Sequence, residues 1–155
     1  MISSMEKELV LNTKQTQMWN MMFDGEGNLR TDHNYNHFAF FGAFRCGKSF
    51  FMMLATLVLC KRYAGCNASM IRMTYGELTD SCIVQFLEAF PPEENDYVYK
   101  TGTREIIFNN KSRLTFRAFD RDNKIKSNNY DFVVLVQAEE IPESLYLQLI
   151  GRLSG

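Results

Sequence analysis

Eight consecutive residues, Gly42-Ala43-Phe44-Arg45-Cys46-Gly47-Lys48-Ser49, match the spacing G-x-x-x-x-G-K-[ST] at every fixed position. Glycines let a backbone bend tightly enough for successive N–H groups to point inward, and the first turn of a following helix adds partial positive charge. Gly42, Ala43, Phe44, Arg45, Cys46, Gly47, Lys48 and Ser49 are therefore expected to cradle the phosphates of a nucleotide. Lys48 is expected to reach the β- and γ-phosphates, and the Ser49 hydroxyl to take a place on magnesium. Arg45 adds a second cation, which either touches the γ-phosphate in the transition state or pairs with a neighbouring acid. Upstream, Gln15 carries an amide whose paired donor and acceptor match the edge of adenine and not that of guanine, although a surface helix glutamine is the plainer alternative. The expected ligands are ATP and Mg2+.

A cradle of this kind needs a strand before it and a helix after it, and the flanking residues supply both. His37 to Phe41 is a compact apolar run suited to a buried strand, and Phe50 to Tyr63 is apolar nearly all round. Lys61 and Arg62 give that helix a cationic last turn, and Gly65 a stop. Before the loop, Thr13 is placed to cap a short helix carrying Met18, Trp19 and Met22. After it, Ala68 to Met73 reads as a strand. Leu78 to Phe90 reads as a helix with an apolar stripe at Leu78, Cys82, Ile83, Phe86, Leu87 and Phe90, ended by Pro91 and Pro92. Arg104 to Phe108 and Arg113 to Phe119 flank a turn at Asn109-Asn110-Lys111-Ser112, where asparagine tolerates positive φ. Phe132 to Val136 is a β-branched run suited to a strand covered on both faces. Asp24 to Asn36 and Pro91 to Thr103 read as loops. Strands alternating with helices predict an α/β fold with a largely parallel central sheet flanked by helices.

The composition agrees with one domain. The chain has 155 residues, 46% apolar and 23% charged, with 14% aromatics and nine methionines pointing to a bulky, adaptable interior. Seventeen basic against eighteen acidic side chains give a net charge of -1, so a nucleic-acid contact has to come from a local patch. Cys46, Cys60, Cys66 and Cys82 lack zinc-like spacing and read as reduced thiols of a cytosolic protein. The N-terminus lacks the pattern of a secretory signal, and the longest apolar run, Phe50 to Cys60, is too short to cross a bilayer. Secretion and membrane insertion are both expected to be absent.

Taken in order, several segments resemble the ATPase domain of large terminase subunits, the motors that package DNA into viral capsids. LNTKQTQMW resembles the glutamine motif that holds adenine, and FFGAFRCGKSF the arginine-bearing phosphate loop. IRMTYGELTDS is similar to the family's strand and arginine-rich turn. SRLTFRAFDRDNKIKSNNYDFVVL is similar to the hairpin leading into the second nucleotide-binding strand, and QAEEIPESLYLQLIGRLS to the segment beyond it. The resemblance runs from Leu11 to Leu153 and implies a P-loop NTPase. It departs at a catalytic position: the family's magnesium carboxylate falls on Val136 and its catalytic glutamate on Gln137, neither of which is an acid. Glu139 and Glu140 are the nearest carboxylates and the catalytic candidates that could reach the magnesium-bound water, with Glu139 also the candidate metal ligand; the alternative is that they cap the next helix or face solvent.

In ring motors an arginine of one subunit completes its neighbour's site, and Arg72 and Arg104 are the candidates for that role in trans. Arg121, Lys124 and Lys126, followed by Ser127-Asn128-Asn129, form a candidate contact for duplex DNA phosphates. The resemblance implies double-stranded DNA, a homo-oligomeric ring, a portal protein and a small terminase subunit as partners, in the cytoplasm of an infected cell. It also leads to the expectation that residues 1–155 are an ATPase domain truncated at its C-terminal end, without the nuclease domain. The expected function is an ATP-hydrolysing DNA-packaging motor. The alternatives are a nucleotide-binding assembly module with little or no hydrolysis, and a small-molecule kinase using the same loop.

Overall fold

The structure, a computed structural model, describes residues 11, 13–31, 48–122, 125 and 128–150, with Lys48 described by its backbone. The chain divides into two compact units, Met1–Phe51 and Met52–Gly155. The expected strand at His37 to Phe41 lies outside the described residues.

In the first unit, α1 (Thr13–Met22) buries Gln15 and Met18 on one side. Thr13 is the first residue of the helix itself. Trp19 stacks on Phe23 with ring centroids 4.3 Å apart and meets Phe51 edge-on at 6.3 Å. The chain then reverses in a small turn closed by a bridge between Phe23 and Leu29. Asp24 holds this turn by accepting the N–H groups of Glu26 and Asn28 at 2.8 and 3.0 Å, while Gly27 supplies a φ of +83°. The second helix, α2 (Lys48–Arg62), begins at the last residues of this unit. Its start at Lys48 is two residues earlier than the apolar run alone suggests.

The second unit is built on a sheet of five strands: β1 (Asn67–Arg72), β2 (Tyr97–Lys100), β3 (Glu105–Phe108), β4 (Arg113–Ala118) and β5 (Phe132–Leu135). Their order is β2-β3-β4-β1-β5, and helices flank the sheet. β1 is parallel to both β4 and β5, whereas β2-β3 and β3-β4 are antiparallel. The parallel half is the expected one. β1 is an inner strand, and its residues from Ala68 to Arg72 are all buried, the polar Ser69 and Arg72 included.

Alternation divides the sheet residues between two faces. Met70 lies in register with Phe116 and Val134, and Phe116 is approached by Phe86 at 5.9 Å and Tyr99 at 6.4 Å. On the other face, Ile71 clusters with Ile125, Tyr130 and Leu149 of α5 (Glu143–Ile150), with Val133 and Leu135 packed against them. The polar pair Ser69 and Thr115 is also buried there, and it is satisfied internally: the two hydroxyls are 3.1 Å apart, and each bonds a carbonyl of the facing strand.

Several local details differ from expectation. The helix expected from Leu78 starts earlier as α3, which is α-helical at Tyr75–Glu77, π-helical across Leu78–Ile83 and α-helical again over Val84–Ala89. The stretch from Pro91 to Thr103, expected as a loop, contains the short helix α4 (Pro92–Asn95) and the edge strand β2. β2 is four residues long, and only Tyr97 is fully buried in it, so its strand character comes from pairing with β3 and leaves little local trace. In the β3-β4 turn the positive φ falls on Lys111, at 71°, and Asn110 is used otherwise. Its amide donates to the carbonyls of Cys60 and Lys61, satisfying the orphan C-terminal groups of α2, while its Oδ1 accepts the Ser112 N–H. β5 ends at Leu135, and Val134 is its one fully buried residue, so this strand is half-covered.

Candidate functional site

The residues of the phosphate loop from Gly42 to Gly47, Arg45 and Cys46 included, lie outside the described residues, as do Lys124 and Lys126. The backbone of Lys48 opens a helix of 15 residues, and Ser49 is exposed in its first turn. A helix of that length directs its unpaired N–H groups and partial positive charge toward its first residues, which suits a phosphate. Gln15 is buried, 6% exposed, on α1. That placement differs from a glutamine on an outer helix surface.

In the second unit, the parallel strands β1, β4 and β5 release their C-terminal ends at one edge of the sheet, the edge where open α/β folds place their ligands. Backbone bonds tie these exits together. Phe119 and Asp120 donate to the carbonyls of Arg72 and Met73 at 3.1 Å, and Val136 donates to that of Ile71 at 2.9 Å.

Arg72 ends β1 and is 7% exposed. Its Nη2 lies 3.5 Å from Glu77 of α3 and 3.6 Å from Glu140, and its Nη1 is 3.4 Å from Ser81 Oγ. Its Nε is buried and, among the described residues, lacks a hydrogen-bond partner. Arg104 has a φ of 53° and meets Asp122 through both carboxylate oxygens, at 3.2 and 2.5 Å. Asp122 also accepts the Ala118 N–H at 2.7 Å and lies 4.0 Å from Arg117. Both candidates for an arginine acting in trans are thus engaged by acids of their own chain. Asp122, Arg117 and Tyr75 took no part in the functional expectations. A carboxylate two residues from Asp120 in a basic stretch was the visible signal, but its partners are distant in sequence.

Arg121 is exposed, and its guanidinium carbon lies 3.9 Å from the centroid of the Tyr75 ring, which Arg104 also approaches at 4.9 Å. Past β5, Gln137 takes a left-handed φ of 54° and leads into a 3-10 turn at Ala138–Glu140. Glu139 is exposed in that turn and Glu140 faces Arg72. This turn is separate from α5, which begins at Glu143.

No cluster of three or more His, Cys, Asp or Glu side chains suited to a metal occurs among the described residues. That is compatible with magnesium, which takes one or two protein groups and completes its shell with phosphates and water. Ser49 in the first unit and Glu139 in the second are each exposed.

At the opposite edge, Cys60 at the end of α2 and Cys66 before β1 are both buried, and their thiols are hydrogen-bonded. That bond, helped by the Ser112 hydroxyl, lowers Cys66 from 9.0 to about 7 against the opposing effect of burial, while Cys60 is raised. A depressed pKa favours the folded thiolate, so the Cys66 contribution to stability grows above pH 7 toward 9 and is lost as pH falls through about 7. We expect ultraviolet thiolate absorbance to show one thiol titrating near pH 7, and Cys60→Ala to move that midpoint upward. An unchanged midpoint in the variant would contradict the thiol–thiol bond as its cause.

Among the described residues no helix is long and apolar enough to cross a membrane. No family model matches the chain, and no curated protein matches it. Solved structures do match. A large terminase from a thermophilic bacteriophage superposes with a TM-score of 0.68 at 16% identity, covering 93% of this chain and 36% of that one. The same terminase in complex with ATP-gamma-S gives a TM-score of 0.57 at 18% identity, over 72% of this chain and 28% of that one. Its complex with ADP gives 0.57 at 19%, over 72% and 29%. The chain spans about a third of the length of the terminase it matches. At these identities the likeness is one of fold: the chain folds like the part of a phage large terminase that it covers.

Proposed function

We propose that this chain is the ATP-binding and hydrolysing motor domain of a DNA-packaging terminase, with residues 1–155 forming part or all of its ATPase domain. The observation that carries the proposal is a conjunction. A phosphate-loop sequence ends at the first turn of α2, in a chain whose fold matches a terminase solved with ATP-gamma-S and with ADP. Amides of Gly42 to Lys48 bind the phosphates, Lys48 neutralises the β- and γ-phosphates, and Ser49 holds magnesium. Magnesium, when bound, spreads the charge of the phosphates and fixes their orientation. The Gln15 amide reads the donor–acceptor edge of adenine. The resemblance supports double-stranded DNA as cargo, assembly into a homo-oligomeric ring, a portal and a small subunit as partners, and the infected-cell cytoplasm as location.

Hydrolysis requires a group to orient the attacking water, and Glu139 and Glu140 are the carboxylates proposed for it. A second function, nucleotide-dependent assembly with little turnover, is favoured by a specific arrangement: Val136 and Gln137 carry no acid, and Glu140 is paired with Arg72. Steady-state phosphate release distinguishes the two. For the motor, we expect turnover that falls at least tenfold in Glu139→Gln or in Glu140→Gln, with ATP affinity retained, since general base catalysis contributes roughly 100-fold or more. Tight ATP binding without release of phosphate by the unsubstituted chain would instead establish the assembly module.

A further inference from the structure

Arginines converge where β1 and β4 leave the sheet, and they are not equivalent. Arg72 faces Glu77 and Glu140, while Arg104 and Arg117 share Asp122. Among the described residues Arg121 has no carboxylate partner, and its partner in the structure is the ring of Tyr75. The neighbouring acid, Asp120, accepts the Tyr75 N–H at 2.9 Å, which fixes the start of α3 against the loop that carries Arg121.

The two kinds of partner have different chemical consequences. A carboxylate cancels a guanidinium's charge and takes up its N–H donors. An aromatic face holds the cation through its quadrupole and leaves the donors in the guanidinium plane available. Tyr75 therefore restrains Arg121 without neutralising it.

We propose that Tyr75 positions the Arg121 guanidinium for contact with a phosphate oxygen of a polyanionic ligand, Arg121 being, among the described arginines of this edge, the one not paired with a carboxylate. The proposal deepens the motor function and rests on it. Two sources supply such an oxygen: the backbone of duplex DNA, and the nucleotide held by another copy of the chain. Arg72 and Arg104 would each have to leave an ion pair of their own chain to act in the same way.

The test uses the full 155-residue chain carrying Arg121→Ala, Tyr75→Leu or Tyr75→Phe. Affinity for a duplex of arbitrary sequence is measured across a salt series. If DNA is the source, Arg121→Ala lowers the magnitude of the log–log salt slope by about 0.9, the share of one phosphate contact. Tyr75→Leu then weakens binding several-fold at unchanged slope, because the charge remains but is no longer held, and Tyr75→Phe retains affinity. A purely structural role for Tyr75 would lower Tm and leave the affinity of the folded protein unaltered. If the neighbour's nucleotide is the source, chains carrying Arg121→Ala mixed with chains carrying Lys48→Ala regain phosphate release that neither shows alone. An unchanged salt slope together with no recovery on mixing would overturn the proposal, as would wild-type affinity and turnover in Tyr75→Leu. Absence of ATP binding by the unsubstituted chain would overturn the motor function, and the salt slope would still decide the role of Arg121.

Discussion

Replacing Lys48 by alanine is expected to raise the dissociation constant for ATP by roughly 100-fold or more, since each charge-assisted hydrogen bond to a phosphate is worth about 1.5–3 kcal/mol and each 1.4 kcal/mol is tenfold. Lys48 opens α2, and a cation at a helix N-terminus opposes the helix dipole, so the substitution removes no favourable helix interaction. Tm without nucleotide should therefore be unchanged. Calorimetric titration with ATP and magnesium, beside a thermal melt, measures both quantities. Equal affinities in the two proteins would remove the basis for nucleotide binding by this loop. Equal affinities with a shifted Tm would assign Lys48 to the fold.

Asp122→Ala is expected to destabilise the protein by about 3 kcal/mol, the lower end of the range for breaking a buried ion pair. At about 2–4 °C per kcal/mol for a chain of this size, Tm should fall by roughly 6–12 °C. The side chains of Asp122, Arg104 and Arg117 are only 11%, 16% and 18% exposed, so removing the acid leaves two guanidiniums with little water to replace it. The Ala118 N–H also loses its acceptor, and the left-handed turn at Arg104 loses its anchor. The contrast is Arg72, whose partners Glu77 and Glu140 are 60% and 41% exposed and rehydrate readily when it is removed. A melt of Asp122→Ala, Arg104→Ala and the double variant checks this. The double variant should be more stable than the sum of the single losses, because it no longer buries an unpaired Arg104. Strict additivity would show that the pair is not coupled.

The elements with local signals were legible in the sequence. Lys61, Arg62 and Gly65 closed α2, and the β-branched run of β5 marked a parallel strand, although the structure covers it less fully than that run suggested. β2 was not legible, since four residues with one buried side chain carry too little pattern to be distinguished from a loop after Pro91 and Pro92. The π-helical segment of α3 was hidden for a related reason: its apolar spacing at Leu78, Cys82, Ile83 and Phe86 also suits an ordinary α-helix. Positive φ fell on Lys111 because Asn110 was committed to capping α2, a contact with residues 49 and 50 positions away.

What the sequence determined by itself is the G-x-x-x-x-G-K-[ST] pattern and the alternation of strands and helices, because both depend on residues close together along the chain. The tertiary structure decided the use of each charge. Arg72, Arg104, Arg117 and Arg121 are alike as letters, and it is strand register and loop exit that set three of them against Glu77, Glu140 and Asp122 and the fourth on Tyr75. A charge is neutralised or left available by what stands within a few ångströms of it, and those neighbours are brought there by the sheet, from positions remote in sequence.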